Sequence, residues 1–204
     1  MKVLLINGSP HEKGCTYIAL SEVAKTLNEQ GIETQIFHIG KNTVRGCIAC
    51  DACQKIGKCA FNDDVANQIL SLMQKADGII IGSPVYYAGP NGALCALLDR
   101  VFYSSKGTLS FKLTAAIVSA RRSGITATFN RLNMYFTMNR MPIISSQYWN
   151  GVHGFTPEDV LKDEEGLQTM RTLGYNMAWM LKNIKNGNHD YLRIEPFKPT
   201  HFIR

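Results

Sequence analysis

Lys2-Val3-Leu4-Leu5-Ile6-Asn7-Gly8-Ser9-Pro10-His11-Glu12-Lys13-Gly14-Cys15-Thr16 follows the first residue of the chain. Val3 to Ile6 is a continuous apolar run, the pattern of a strand buried on both faces. Roughly 16–29 then fits a helix, with Leu20, Val23, Ala24 and Leu27 on one face and Gly31 as its stop. A loop that leaves a buried strand and enters a helix brings free helix-terminal N–H groups to one place, where an anion can sit. Hydroxyls at Ser9 and Thr16, the flexible Gly14 and a donor at His11 add to that cradle. No Gly-Lys-Ser/Thr ends the loop, so it is not a Walker loop. It is not Gly-x-Gly-x-x-Gly either, so a single phosphate fits better than a dinucleotide pyrophosphate. Taken alone, the same residues also describe a plain capped helix after a strand.

Outward from this unit, strand-like and helix-like patterns alternate to the end of the chain. Residues 34–39 read as a second strand. Asp63 or Asp64 can cap a helix whose stripe is Val65, Ile69, Leu72 and Met73. Gly78-Ile79-Ile80-Ile81-Gly82 is the third strand, and a helix from about Asn91 carries Leu94, Leu97, Leu98 and Val101. Residues 113–119 read as a fourth strand, Phe129, Leu132 and Phe136 mark a helical face, and 142–145 begin a fifth strand. Leu167, Met170, Leu173, Met177, Leu181 and Ile184 keep one register along a closing helix. Five strands alternating with helices imply an α/β, doubly wound parallel sheet, because parallel neighbours need crossovers. The polar and aromatic tail from about 186 fits a surface segment or a wrap around a neighbouring subunit.

The 204 residues carry 22 Lys and Arg against 16 Asp and Glu, a net charge of +6 that favours a phosphorylated ligand. The basic residues are scattered, without the Lys/Arg runs that read as nucleic-acid binding. No apolar run approaches the roughly 18 residues of a membrane span. The short apolar N-terminus has no cleavage site behind it, so a cytoplasmic protein is expected. Four of the six cysteines fall within thirteen residues, as Cys47-x2-Cys50-x2-Cys53-x5-Cys59. In a reducing compartment such a run indicates metal or redox chemistry rather than a disulfide framework. Four thiolates at this spacing can converge on one [4Fe–4S] cube, with Gly46 and Gly57 supplying turns. Zinc and a redox-active or empty set of thiols are the other readings; Cys-x2-Cys-x2-Cys is tighter than paired zinc knuckles. Cys95, beside Leu94 and Leu98, reads as core.

In open α/β sheets ligands sit beyond the carboxyl ends of the strands. After the third strand comes Ser83-Pro84-Val85-Tyr86-Tyr87-Ala88-Gly89-Pro90, an aromatic wall with close backbone approach, or equally a tight turn packed on the next helix. After the fourth comes Ser119-Ala120-Arg121-Arg122-Ser123-Gly124, where a positive group can favour an anionic ligand, or lie solvated. Trp149, Asn150, His153 and Gly154 form a loop after the expected fifth strand, suited to a lid, a subunit contact or a plain surface loop. His38, His189 and His201 belong to no constellation.

Strand–Gly8-Ser9-Pro10-x3-Gly14-x-Thr16–helix, followed by Gly82-Ser83-Pro84-Val85-Tyr86-Tyr87 before a helix, resembles the NADPH-dependent FMN reductases of the flavodoxin-like superfold. The resemblance implies a three-layer flavodoxin-like fold with strand order 2-1-3-4-5. It implies one FMN-binding domain over 1–204, with a cysteine-rich insertion at about 46–60. FMN would bind through Ser9, His11, Gly14, Cys15 and Thr16 at its phosphate. Pro84, Val85, Tyr86, Tyr87 and Gly89 would flank its ring on one side, and Ser119, Ala120, Arg121 and Gly124 on the other. One departure matters: Cys15 stands where family members often carry Asn, so its backbone N–H must replace a side-chain donor. The implied function is electron transfer from NAD(P)H through FMN to a quinone, a flavin or another acceptor, the flavin carrying the chemistry without a catalytic nucleophile. The cysteine run is similar to that of iron–sulfur flavoproteins, with Cys47, Cys50, Cys53 and Cys59 as cluster ligands and ferredoxin as an alternative donor. A non-catalytic flavin redox sensor is the remaining alternative. A homodimer or homotetramer is expected.

Overall fold

The computed structural model describes residues 1–187, 195 and 200. The rest of the tail beyond 187, with His189 and His201, lies outside the described residues.

The elements run β1 (Lys2–Asn7), α1 (Cys15–Glu29), β2 (Glu33–His38), α2 (Cys53–Ile56), α3 (Ala66–Lys75), β3 (Gly78–Tyr86) and β4 (Gly89–Pro90). They continue with α4 (Gly92–Ser105), β5 (Leu113–Ala120), α5 (Ile125–Met138), β6 (Gly151–His153), α6 (Pro157–Val160) and α7 (Glu164–Asn186). The main sheet has the order β2-β1-β3-β5-β6 with every pair parallel, and β4 pairs antiparallel with the end of β3. Counting only the main-sheet strands, this is the expected 2-1-3-4-5 order.

Side chains alternate across the sheet, as the period of two requires. Leu4, Ile6, Ile79, Ile81, Ala116 and Val118 join Ile69, Met73, Leu97, Val101 and Phe136 of α3, α4 and α5 on one face. Val3, Leu5, Ile80, Ala115 and Ile117 join Leu20, Val23, Leu27, Leu173 and Met177 of α1 and α7 on the other. Helices on both faces make three layers and cover the parallel strands from water. Among the described residues, no helix is long and apolar enough to cross a membrane.

Two expectations are corrected. The fifth strand is not 142–145 but Gly151–His153. The chain approaches β5 at Pro142, whose carbonyl accepts from the Thr114 N–H at 2.8 Å, and Ile143 forms a lone parallel bridge with Thr114. Pro142 has no N–H to extend the ladder backwards; the Ile144 N–H still donates to Thr114 O at 2.7 Å, and the polar stretch from Ser145 then leaves the sheet. Asn150 restores contact: its carbonyl accepts from the Val118 N–H at 2.9 Å and its side-chain amide donates to Ala116 O at 3.0 Å. Secondly, the third strand does not stop at Gly82. It continues through Ser83, Pro84 and Val85 to Tyr86, because Pro84 still lies against Ser119 of β5.

Candidate functional site

The site begins with Asn7, the last residue of β1, which is fully buried. Its side-chain oxygen accepts from the Ser9 N–H at 3.1 Å and its amide donates to Glu12 O at 2.9 Å, so one side chain shapes the whole 8–12 turn. Gly8 crosses β3 at contact distance, its N–H donating to Gly82 O at 2.8 Å; a Cβ there would strike Leu94 and lie 2.8 Å from that same carbonyl. Ser9 is buried, and its hydroxyl accepts from the His11 N–H at 3.1 Å. At the start of α1 no side chain caps the helix. The first helical N–H bonded to a protein carbonyl is that of Ile18, to Gly14 O at 3.2 Å. The N–H groups of Cys15, Thr16 and Tyr17 have no protein acceptor among the described residues, which is the arrangement an anion uses. Thr16, buried at 1% exposure, shares a 2.8 Å hydroxyl–hydroxyl hydrogen bond with Ser119 of β5.

These groups floor a cavity of ≈ 980 Å³ at the carboxyl ends of β1, β3 and β5. Of the residues read from the sequence, Ser9, His11, Gly14, Cys15, Thr16, Pro84, Val85, Tyr86, Ser119, Ala120 and Arg121 all line it. Lys13, Lys41 and Arg121 face one carboxylate, Glu12, so its lining favours an anionic guest. Tyr87, Gly89 and Gly124 do not line it. Gly89 pairs with Tyr86 in the β3–β4 hairpin, whose turn residues Tyr87 and Ala88 both take left-handed conformations, φ 50° and 56°. A two-residue hairpin of that kind usually holds Asn-Gly, so this turn stores strain beside the cavity. Tyr87 is fully exposed. Gly124, at φ 91°, packs behind that turn: a Cβ would lie 2.7 Å from Val85 Cγ1 and 3.1 Å from Ala88 Cα.

Sequence reasoning missed several residues that line the cavity or hold its loops in place. His38, assigned no role, ends β2 with Nε2 2.8 Å from Ser9 O and lines the cavity. Asn91 ties the first loop to the next helix, its amide donating to Gly8 O at 2.7 Å while its oxygen caps α4 at Ala93 N. Lys41 and residues 154–157, which lead into α6 at Pro157, line the remaining walls. The signal for Asn7 and Asn91 was present: an amide side chain at the end of a buried strand or the start of a helix is a loop organiser. His153 and Trp149 instead line a separate ≈ 300 Å³ cleft with Arg122 and Tyr148.

Cys47, Cys50, Cys53 and Cys59 all line one small concavity, together with Phe61, Arg100 and Tyr103. Cys53 is buried at the start of α2, Cys59 is half-buried, and Cys47 and Cys50 are exposed. All six described cysteines are free. Burial pushes the Cys53 thiol up, as do the neighbouring Cys50, Asp51 and Cys47. The wrapping uses left-handed backbone at Ala49 (φ 52°) and Asp51 (φ 54°) as well as at Gly57 (φ 70°), whereas Gly46 keeps an ordinary conformation. No three of the described His, Cys, Asp and Glu side chains gather tightly enough for a single metal ion. Cys95, half-buried on α4, stands apart from the run. Burial raises the Cys15 thiol too, and its Sγ lies 3.8 Å from Gly154 O.

Residues 1–156 match the family model of NADPH-dependent FMN reductases. An iron–sulfur flavoprotein of Methanocaldococcus jannaschii is 34% identical over 196 residues, covering 91% of this chain and all of that relative. Among solved structures, RosB with bound 8-demethyl-8-formylriboflavin-5'-phosphate superposes with a TM-score of 0.73 at 13% identity, covering all of this chain and 94% of that one. A flavodoxin, WrbA-like protein from Agrobacterium tumefaciens gives a TM-score of 0.61 at 14% identity, covering 89% of this chain and 97% of that one. The sheet order, the cavity at its carboxyl edge and these likenesses agree: the chain belongs to the NADPH-dependent FMN reductase family and, within it, is kin to the iron–sulfur flavoproteins.

Proposed function

We propose that the protein is an FMN-dependent oxidoreductase with two redox sites. FMN occupies the cavity over Ser9–Thr16, and a [4Fe–4S] cluster is held by Cys47, Cys50, Cys53 and Cys59. The convergence of those four cysteines on one concavity is the observation that carries the two-site reading. Zinc can also take four thiolates, but Cys-x2-Cys-x2-Cys is tighter in sequence than paired zinc knuckles, and short-spaced cysteine runs suit a cube.

For the flavin site, the free N–H groups of Cys15 to Tyr17 and the Thr16–Ser119 hydroxyl pair support a phosphate position. Lys13 and Lys41 lend it positive charge. Pro84, Val85 and Tyr86 on one side and Ser119, Ala120 and Arg121 on the other are suited to hold a flat ring, with Phe155 and Pro157 limiting water. Arg121 would favour an electron-rich ring by its charge. When bound, FMN supplies exchange between a two-electron donor and one-electron acceptors, and the cluster supplies one-electron transfer. NAD(P)H is the proposed donor and a quinone, a flavin or another carrier the acceptor. The relatedness to an iron–sulfur flavoprotein favours a second reading, a ferredoxin-fed carrier with the same two sites. Exposed Tyr148, Trp149, Phe155 and Trp179 support a homodimer or homotetramer, and six free cysteines suit a reducing cytoplasm.

Anaerobic purification tests the whole reading. The protein should release FMN on denaturation and contain about four iron and four sulfide per chain. Oxidation of NADPH or NADH by that protein supports the reductase; turnover only with reduced ferredoxin supports the carrier. FAD in place of FMN, or wild type that takes up neither iron nor sulfide on reconstitution, refutes the corresponding site.

A further inference from the structure

Resting on that cluster reading, we infer that Arg100 is the residue that positions Cys59 and sets the reduction potential of the cysteine site. Arg100 lies on α4, opposite the cysteine run, with its side chain 1% exposed. A buried guanidinium is costly unless its donors are satisfied, and here they are spent on one segment. Nε–H donates to Cys59 Sγ at 3.2 Å, one Nη to Arg45 O at 3.1 Å and to Asp64, and the other to Phe61 O at 3.4 Å. The acceptors bracket the cysteine run from Arg45, before its first member, to Asp64, after its last. The planar fork therefore clasps both ends of the run and aims one donor at one sulfur.

The counter-ion is as deliberate as the donor. Asp64, 4% exposed in its side chain, takes Arg100 and the Arg45 N–H on one oxygen and the Ala66 N–H on the other. Burial by itself would push the Asp64 carboxyl up; the Arg100 fork and the two backbone donors outweigh it and hold it below its ordinary value. Cys59 thus feels a guanidinium whose charge is balanced on its far side. Hydrogen bonds to ligand sulfurs and local charge set the potentials of such sites. Reduction adds one electron without making or breaking a bond, and the added negative charge is shared by the ligand sulfurs. An N–H donor at Cys59 then favours the reduced state.

The test is the midpoint potential of the reconstituted cluster, read by redox titration of its visible band with FMN left in place. Arg100→Gln removes the charge and leaves Asp64 unbalanced, so the reduced-to-oxidised ratio at a fixed potential should fall at least tenfold, a downward shift of 59 mV or more for one electron. Asp64→Asn leaves the guanidinium uncompensated and should move the potential upward. A residue with only a structural role would lower cluster content without shifting the remaining cluster in opposite senses. If Arg100→Gln loads no cluster, Asp64→Asn decides alone: an upward shift sustains the proposal and an unchanged potential overturns it. Unchanged potentials in both loaded variants overturn the Arg100 role and leave the cluster reading standing. Wild type that binds no iron or sulfide overturns both.

Discussion

Replacing Thr16 by alanine isolates the floor of the flavin cavity. Thr16 and Ser119 are both buried and share one hydrogen bond of 2.8 Å. Two hydroxyls own two hydrogens; one is spent between them and the other is left for a guest, whichever oxygen donates. Thr16→Ala therefore removes either the charged contact itself or the group that orients it. A hydrogen bond to a charged acceptor is worth about 1.5–3 kcal/mol, which is about a ten- to hundredfold rise in Kd at 1.4 kcal/mol per decade. Thr16→Ser keeps the hydroxyl and loses a methyl packed near Gly82. It should cost about 0.8 kcal/mol of stability and little affinity. Ser119→Ala should weaken binding too, and the double variant should lose no more than the worse single, since the pair acts as a unit. Titration of apoprotein with FMN, followed by flavin fluorescence, reads all four. Alanine binding as tightly as serine at position 16, or strictly additive losses, would refute the shared-hydroxyl cradle.

Gly124→Ala should lower stability by about 1–3 kcal/mol because a left-handed φ and the Val85 and Ala88 contacts both oppose a Cβ; thermal melts check it, at about 2–4 °C per kcal/mol. Tyr103→Phe should leave FMN affinity unchanged and speed iron loss, because its hydroxyl donates to Asp51 at 2.6 Å within the cysteine run; iron release to a chelator measures this. Asp64 has a depressed carboxyl pKa in the fold, so its contribution is present above the unfolded value of about 4 and lost as pH falls through the folded value. Urea melts between pH 6 and 3 should show wild type losing stability on acidification more steeply than Asp64→Asn.

The parts of the fold legible in the sequence are those where burial alone sets the pattern. Val3–Ile6, Gly78–Gly82 and Ala115–Val118 are apolar or glycine at consecutive positions because both sheet faces are covered, and all three lie in strands. The helices α1, α4 and α7 showed their stripes for the same reason. Misreading began where backbone hydrogen bonding, rather than burial, decides. Pro142-Ile143-Ile144 is apolar and meets Thr114, yet the edge strand forms later, at Gly151–His153. Ser83-Pro84-Val85-Tyr86 carries loop residues, yet the neighbouring β5 holds it extended.

The candidate sites divide along the same line. Hydroxyls, glycines and cysteines crowded into short runs were visible because their partners are near in sequence. Two of the groups that hold those runs in place were not, since they act across the chain. His38 reaches Ser9 over 29 positions and Arg100 reaches Cys59 over 41. Arg100 left only a faint trace: a charge set beside the Leu97, Leu98 and Val101 stripe of α4, where a solvated arginine looks the same. What distinguishes it is that α4 is covered twice, by the sheet through its leucines and by the cysteine segment through Arg100 and Tyr103. A helix covered on two sides can afford an ion pair at the second contact only if every donor finds an acceptor. The backbone carbonyls of Arg45 and Phe61, the Asp64 carboxylate and the Cys59 sulfur are those acceptors. The conformation of the cysteine run is thus set less by its own cysteines and glycines than by a side chain presented from the sheet's own helix layer.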